Sequence, residues 1–210
     1  MTILPRGCAR TIDDGRQPRP TARDVVLLDP ATDQPIATMG KHAAHQAGLY
    51  HAAISVILVD RAGRQLLQQR AFTKYHCRGL WSNACCSHPM AAETSLAAAQ
   101  RRLFDELRLR TPLTPLARVR YKARVGQLIE HERVDVFVGL CATQPRVNPR
   151  ECAGVAWMPR ANHTAFEPLT PWSALYLDLF DPEWLRACAL GLEHGAPRDF
   201  GPVRVLGDAG

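Results

Sequence analysis

Across residues 128–141 apolar side chains return at every second position, and the period that sets Val134, Val136, Val138 and Leu140 on one face carries Glu130 and Glu132 onto it as well. The segment reads as a strand with one side against a core, its two carboxylates aimed inward and roughly 7 Å apart. Ionised carboxylates out of water are costly unless protons, arginines or a metal neutralise them. A chain that folds around this strand must supply such partners, or else leave the strand end wet.

Three histidines are candidates for that role. His45, His51 at the start of an apolar run, and His88 ahead of Pro89 offer imidazoles that, with carboxylates, suit a borderline divalent ion such as zinc or manganese. Each alone is more often a hydrogen-bonded structural residue. Three of them beside two inward glutamates favour a metal site.

The rest of the chain supplies short strands and a few helices. Residues 25–28 read as a strand stopped by Asp29-Pro30, residues 52–59 as a stronger one, and residues 60–63 as a turn into 65–69, a hairpin signal. Residues 80–86 and 117–124 are further strands, and 144–149 a loop. Thr94 or Ser95 caps a helix with Leu96, Ala99, Leu103 and Leu107 on one buried face and with Arg102 and Glu106 together on a different one. Thr170-Pro171 and Asp181-Pro182 start two terminal helices. Strands interrupted by one long helix and followed by more helices give an α+β class, a mixed sheet with flanking helices. Residues 1–23, rich in Pro, Arg, Thr and Asp without apolar period, are expected to be a flexible leader, residues 24–190 one domain, and residues 191–210 an irregular tail.

Composition narrows the function. A chain of 210 residues with 46% hydrophobic and 22% charged residues can bury one sizeable core. No apolar run reaches the ~18 residues of a bilayer span, and the start lacks a signal-peptide core. The net charge of +6 is spread over dispersed arginines without an aromatic ladder, which argues against nucleic acid or membrane as partner and suits a small anionic substrate. Seven cysteines without paired C-x-x-C spacing point to reduced thiols and a cytoplasmic location. Without a G-x-G-x-x-G or Walker pattern, nicotinamide and P-loop nucleotide chemistry drop out.

The run Asn83-Ala84-Cys85-Cys86-Ser87-His88-Pro89 adds a possible proton carrier. Adjacent residues of a strand point to opposite faces, so Cys86 shares the parity of His88 while Cys85 is assigned to the core as a small apolar group. A thiol near a metal and an imidazole can have a tuned pKa and exchange protons.

From Ser87 onward the spacing to Glu93, Arg101, Leu103, Asp105 and Glu106 resembles the Nudix box. Ser87 and Arg108 stand where that box has glycine, and Arg102 where hydrolytic members have a metal-binding glutamate. An acid replaced by arginine removes a hard-cation ligand, so the box looks able to hold a diphosphate through one magnesium at Glu106 without the full hydrolytic set.

The chain as a whole resembles the type 1 isopentenyl-diphosphate Δ-isomerases, a Nudix-fold family. The matching segments, over roughly residues 24–180, are KHAAH from Lys41 to His45, QQRAFTK ending at Lys74, NACCSHP, RRLFDEL, YKA at Tyr121, EHE from Glu130 to Glu132, and LTPW ending at Trp172. The resemblance implies that Cys86 and Glu132 are the proton carriers, on opposite faces of an allylic substrate, with Tyr121 polarising Glu132. It implies that His45, His51, His88, Glu130 and Glu132 hold a buried divalent ion (manganese, magnesium or zinc) and that Glu106 holds Mg2+ bridged to the diphosphate. Lys41, Arg70, Lys74 and Arg102 become its cationic contacts, and Tyr121 and Trp172 line the hydrocarbon pocket. His76-Cys77-Arg78-Gly79 stands where members often have an aromatic-Pro-Gly turn. Cyclisation of a longer prenyl diphosphate and diphosphate hydrolysis are the alternative outcomes on the same fold.

Overall fold

The computed structural model of the protein describes residues 10–11, 24–159, 166–193 and 195–207. Most of the expected leader therefore lies outside the described residues. Within it, β1 (Arg10–Thr11) pairs antiparallel with β3 (Pro35–Gly40), which also pairs with β2 (Asp24–Leu28). Helix α1 (Lys41–Ala47) follows directly and ends at Gly48, whose left-handed backbone lets the chain turn into β4 (His51–Val59).

Strand β4 is buried along its whole length because both of its faces are covered. It runs parallel to β9 (Leu128–Leu140), with His51 opposite Glu132 and Ser55 opposite Val136. Strand β8 (Thr114–Val125) pairs antiparallel with β9 on its far side. On the other edge β4 meets β5 (Gln65–Arg70) for two residue pairs and β7 (Cys85–Ser87) for three. Strand β5 then runs on to β6 (Trp81–Asn83) and β10 (Cys152–Met158). The expected strand over residues 80–86 is thus two short strands. They part at Ala84 because β6 bonds to β5 and β7 to β4.

The even-numbered β4 side chains Ile54, Val56 and Leu58 pack against Ala98, Ala99, Leu103 and Leu107 of α2 (Ser95–Leu107). Thr94 caps this helix, its side chain accepting from the Ala97 amide. Leu96, expected on the buried face, is exposed, and Ala98 takes the inward position instead. The odd-numbered side chains Ala53, Ile57 and Val59 face the opposite way, toward α3 (Pro171–Leu179) and α4 (Pro182–Ala189), where Trp172, Leu175, Tyr176 and Leu185 close a second core with Val134, Val136 and Val138 of β9. Asp181 caps α4 through the Trp184 amide, whereas Thr170 turns its hydroxyl to Ser173 rather than to a backbone amide. Beyond α4 the chain is largely irregular, but β11 (Arg198–Asp199) and β12 (Arg204–Val205) each lie parallel to β8. Among the described residues no helix is long and apolar enough to cross a membrane.

Candidate active site

The face of β4 that looks toward α3 also carries the polar residues. Alternation along β9 buries Glu130 and Glu132 as it does Val134 and Val136. His51 on β4 sits in register with Glu132, and Tyr121 on β8 flanks Glu132 from the other side. From β7 come Cys86, opposite Ser55, and beyond it His88; from α1 come Lys41 and His45. These residues, except for the buried His45 and His51 behind them, line one pocket with Arg70, Trp172 and Tyr176.

The histidines and glutamates converge. His45 Nδ1 donates to the Lys41 carbonyl at 2.7 Å and His51 Nδ1 to the Leu49 carbonyl at 2.8 Å. A carbonyl can only accept, so these bonds fix the proton on Nδ1 and leave the Nε2 lone pair of the neutral ring pointing inward. His45 Nε2 lies 3.0 Å from Glu130 Oε2, and His51 Nε2 lies 3.4 Å from Glu132 Oε1. A lone pair facing a carboxylate oxygen is repulsive unless a proton or a cation stands between them. His45 Nε2, His51 Nε2 and Glu130 Oε1 are all buried without a hydrogen bond. With His88 Nε2 at 2.9 Å from Glu132 Oε1, the ligand atoms of His45, His51, His88 and Glu132 all fall within 4.8 Å of one another. Nitrogen and carboxylate donors so arranged fit a borderline divalent ion.

Without an ion, burial pushes the carboxyl of Glu132 upward, but the His51 and His88 contacts outweigh it and hold the group well below the usual carboxylate range. Tyr121 donates its hydroxyl hydrogen to Glu132 Oε2 at 2.6 Å, and burial together with that negative charge raises the phenol well above its ordinary value.

Cys86 stands in a separate hydroxyl and amide network. Its thiol donates to Asn83 Oδ1 at 3.0 Å and lies 3.4 Å from Ser55 Oγ; Trp172 Nε1 donates to Ser82 Oγ at 3.0 Å, which ties the indole to the same network. Burial pushes the Cys86 thiol up to about 11, with the Ser55 and Ser82 contacts opposing. Cys85 points away, into the core beneath α2.

The candidate anion contacts divide into two groups. Arg70 faces the pocket, its guanidinium 5.5 Å from the Trp172 ring centroid, and Lys41 lies 5.7 Å from the Tyr75 ring; burial lowers the Lys41 ammonium. Lys74 and Arg102 do not line the pocket. Lys74 pairs with Glu151, while Arg102 bonds Glu106 Oε1 at 2.8 Å and approaches Glu151 at 3.4 Å. Gln68 donates to the other oxygen of Glu106 at 2.9 Å. Glu106 is therefore buried on α2 itself, outside the imidazole cluster.

The sequence marked His76 only as part of an altered loop and not as a site residue. His76 lies in the loop between β5 and β6, where no period exists, and its Nε2 is 3.3 Å from Glu130 Oε1.

Residues 49–180 match the NUDIX domain family. The chain is 44% identical over 135 residues to the isopentenyl-diphosphate Delta-isomerase of Serratia proteamaculans, covering 64% of this chain and 75% of that one. It is 42% identical over 149 residues to the enzyme of the same name from Pectobacterium atrosepticum, covering 70% and 83%. A crystal structure of a Deinococcus radiodurans protein superposes with a TM-score of 0.62 at 15% identity, over 75% of this chain and 99% of that one, a likeness of fold. The chain belongs to the isopentenyl-diphosphate Delta-isomerase family of NUDIX domain proteins.

Proposed function

We propose that this protein converts isopentenyl diphosphate to dimethylallyl diphosphate, in isoprenoid synthesis, by adding and removing protons on opposite sides of the substrate. The observation that carries this reading is that Cys86 and Glu132 line one pocket, on strands either side of β4, with Trp172 and Tyr121 as its walls. Glu132 in its acid form gives its proton to the terminal alkene carbon, which leaves a tertiary carbocation. Cys86 as thiolate takes a proton from the neighbouring carbon, and the new double bond forms there. The Trp172 ring face stabilises the intermediate charge by about 2 kcal/mol in a dry site. Each turnover ends with a carboxylate and a thiol, so a proton must pass from the Cys86 side to the Glu132 side before the next. The high pKa of the buried thiol makes the starting pair the minor form at rest.

His45, His51, His88, Glu130 and Glu132 are the residues proposed to hold one divalent ion, manganese, magnesium or zinc. When bound it supplies positive charge that polarises the Glu132 carboxyl group. Lys41, Arg70, Lys74 and Arg102 are proposed to receive the diphosphate, with Mg2+ at Glu106. Arg102 and Gln68 already bond both Glu106 oxygens, so Glu106 would hold Mg2+ alongside those donors. The same pairing speaks against hydrolysis, which needs free acids around its metal. The six cysteines described are all unpaired, in keeping with a reducing, cytoplasmic setting, and residues 24–190 are taken as the working domain.

The test is to incubate the manganese- and magnesium-loaded protein with isopentenyl diphosphate in heavy water. Dimethylallyl diphosphate carrying solvent deuterium is the expected product. Unchanged substrate overturns the proposal, and released phosphate or a cyclic hydrocarbon redirects it.

A further inference from the structure

His76 is buried, and neither of its ring nitrogens has a hydrogen-bond partner. An imidazole in that state has lost water from both nitrogens with nothing in return, which costs on the order of a few kcal/mol unless a ligand is present. Its ring lies edge-on to Trp172 at 6.2 Å and stacks toward His45 at 6.1 Å.

The loop is built to hold it there. Arg70 donates through Nε to the Cys77 carbonyl at 3.1 Å and through Nη2 to the His76 carbonyl at 3.3 Å. Cys77 takes a left-handed backbone at φ 48°, a conformation costly for a residue with a side chain. Gly79 closes the loop at φ 68°, where a Cβ would come within 2.5 Å of the Phe72 ring. Strain kept in a loop that delivers one unpartnered imidazole suggests that the imidazole is used.

Its ligand atom, that of His45 and a Glu130 oxygen fall within 4.8 Å of one another. His45 belongs both to this group and to the group with His51, His88 and Glu132. With Nδ1 committed to the Lys41 carbonyl, His45 has one lone pair and can serve one ion only. The two groups therefore meet at a single point.

We propose that His76 is a fourth imidazole ligand of the ion held by His45, His51, His88, Glu130 and Glu132, a proposal that rests on the metal-site reading above. Six side chains, four imidazoles and two carboxylates, would then hold the ion. A fourth imidazole shifts preference from magnesium toward cobalt, nickel and zinc.

The test uses metal-stripped full-length protein titrated with Co2+, Zn2+ and Mg2+. Wild-type protein should take up one Co2+ per chain. His76→Gln and His76→Asn should bind Co2+ at least about tenfold more weakly, with a changed visible absorption band, and Mg2+ almost unchanged. In Zn2+-loaded wild-type protein with isotope-labelled histidine rings, nitrogen NMR should show four metal-bound imidazoles. Three bound imidazoles, or the same Co2+ affinity and spectrum in a folded His76 variant, overturn this proposal alone. If wild-type protein binds none of the metals, the metal-site reading falls and takes this one with it.

Discussion

Around α2, Glu106 is met by Arg102 and Gln68, and Glu151 by Lys74 and Arg102, so each acid has a donor carrying a proton. On the opposite face of β4, Glu130 and Glu132 are met by imidazoles, several of whose inward nitrogens have no hydrogen bond. Both clusters take carboxylates out of water, and the difference is whether the protein neutralises them itself. Paired with arginine and lysine, the α2 cluster holds together without help. The imidazole cluster is left with a demand for positive charge. The face that carries the Nudix-like spacing is thus the balanced one, and the chemistry is proposed for the other.

Cys86→Ala and Glu132→Gln break the contrast most severely. Each is expected to lower kcat for isopentenyl diphosphate isomerisation by about 10³-fold or more, because each removes one of the two proton carriers. Steady-state rates with product identification check this; a loss below about tenfold assigns the proton to another group. Equivalent changes at Cys85, which faces the α2 core, should affect stability rather than the chemical step.

Stripping the metal comes next. A chelator should destabilise the protein by about 3–4 kcal/mol if the ion had been present at 100–1,000 times its dissociation constant. Thermal unfolding with and without chelator reads the effect, and re-addition of Mn2+ or Zn2+ should restore it. An unchanged melting temperature places the two clusters on equal terms and removes the basis of the comparison.

Arg102→Ala attacks the balanced side. Removing one partner of a buried ion pair costs about 3–5 kcal/mol, and about 2 kcal/mol is expected here because the Arg102 side chain is 20% exposed. Denaturant unfolding measures it, and Mg2+ should recover part of the loss by supplying Glu106 with a different cation. No recovery with Mg2+ argues against Glu106 as its ligand.

The smallest effect is at the periphery. Asp33 accepts from Arg120 and from the Tyr50 hydroxyl at 2.8 Å, and although burial pushes its carboxyl up, those bonds leave it below 3.8. A depressed folded-state pKa gives stability that is present above the unfolded value and lost as pH falls through the folded one. Asp33→Asn should therefore cost about 1 kcal/mol near neutral pH and progressively less below pH 3.8, followed by denaturant melts across that range. A pH-independent cost assigns the loss to shape rather than charge.

Strands and helices with a clear period were readable in the chain: β4, β9, α2 and the two proline-led starts of α3 and α4. Parity also separated Cys86 from Cys85 and aligned Glu130 with Glu132. Strand β10 was unreadable because its middle residues are all partly exposed and so carry no alternation. Helix α1 escaped notice because seven residues with two buried positions, Ala44 and His45, define no face. His76 stood out only as part of a departure from the family's aromatic-Pro-Gly turn, since a loop has no period and its nearness to Glu130 comes from the fold.

Local alternation was enough to turn two carboxylates of β9 inward, because side-chain direction along a strand follows from backbone pleating alone. It was also enough to predict that something must neutralise them. Which groups do so depended on the register of β4 against β9 and of β7 against β4, contacts between residues dozens of positions apart, and on a loop pinned by Arg70. Such pairings are chosen by the packing of two cores on either side of the sheet, and no stretch of chain contains that information by itself.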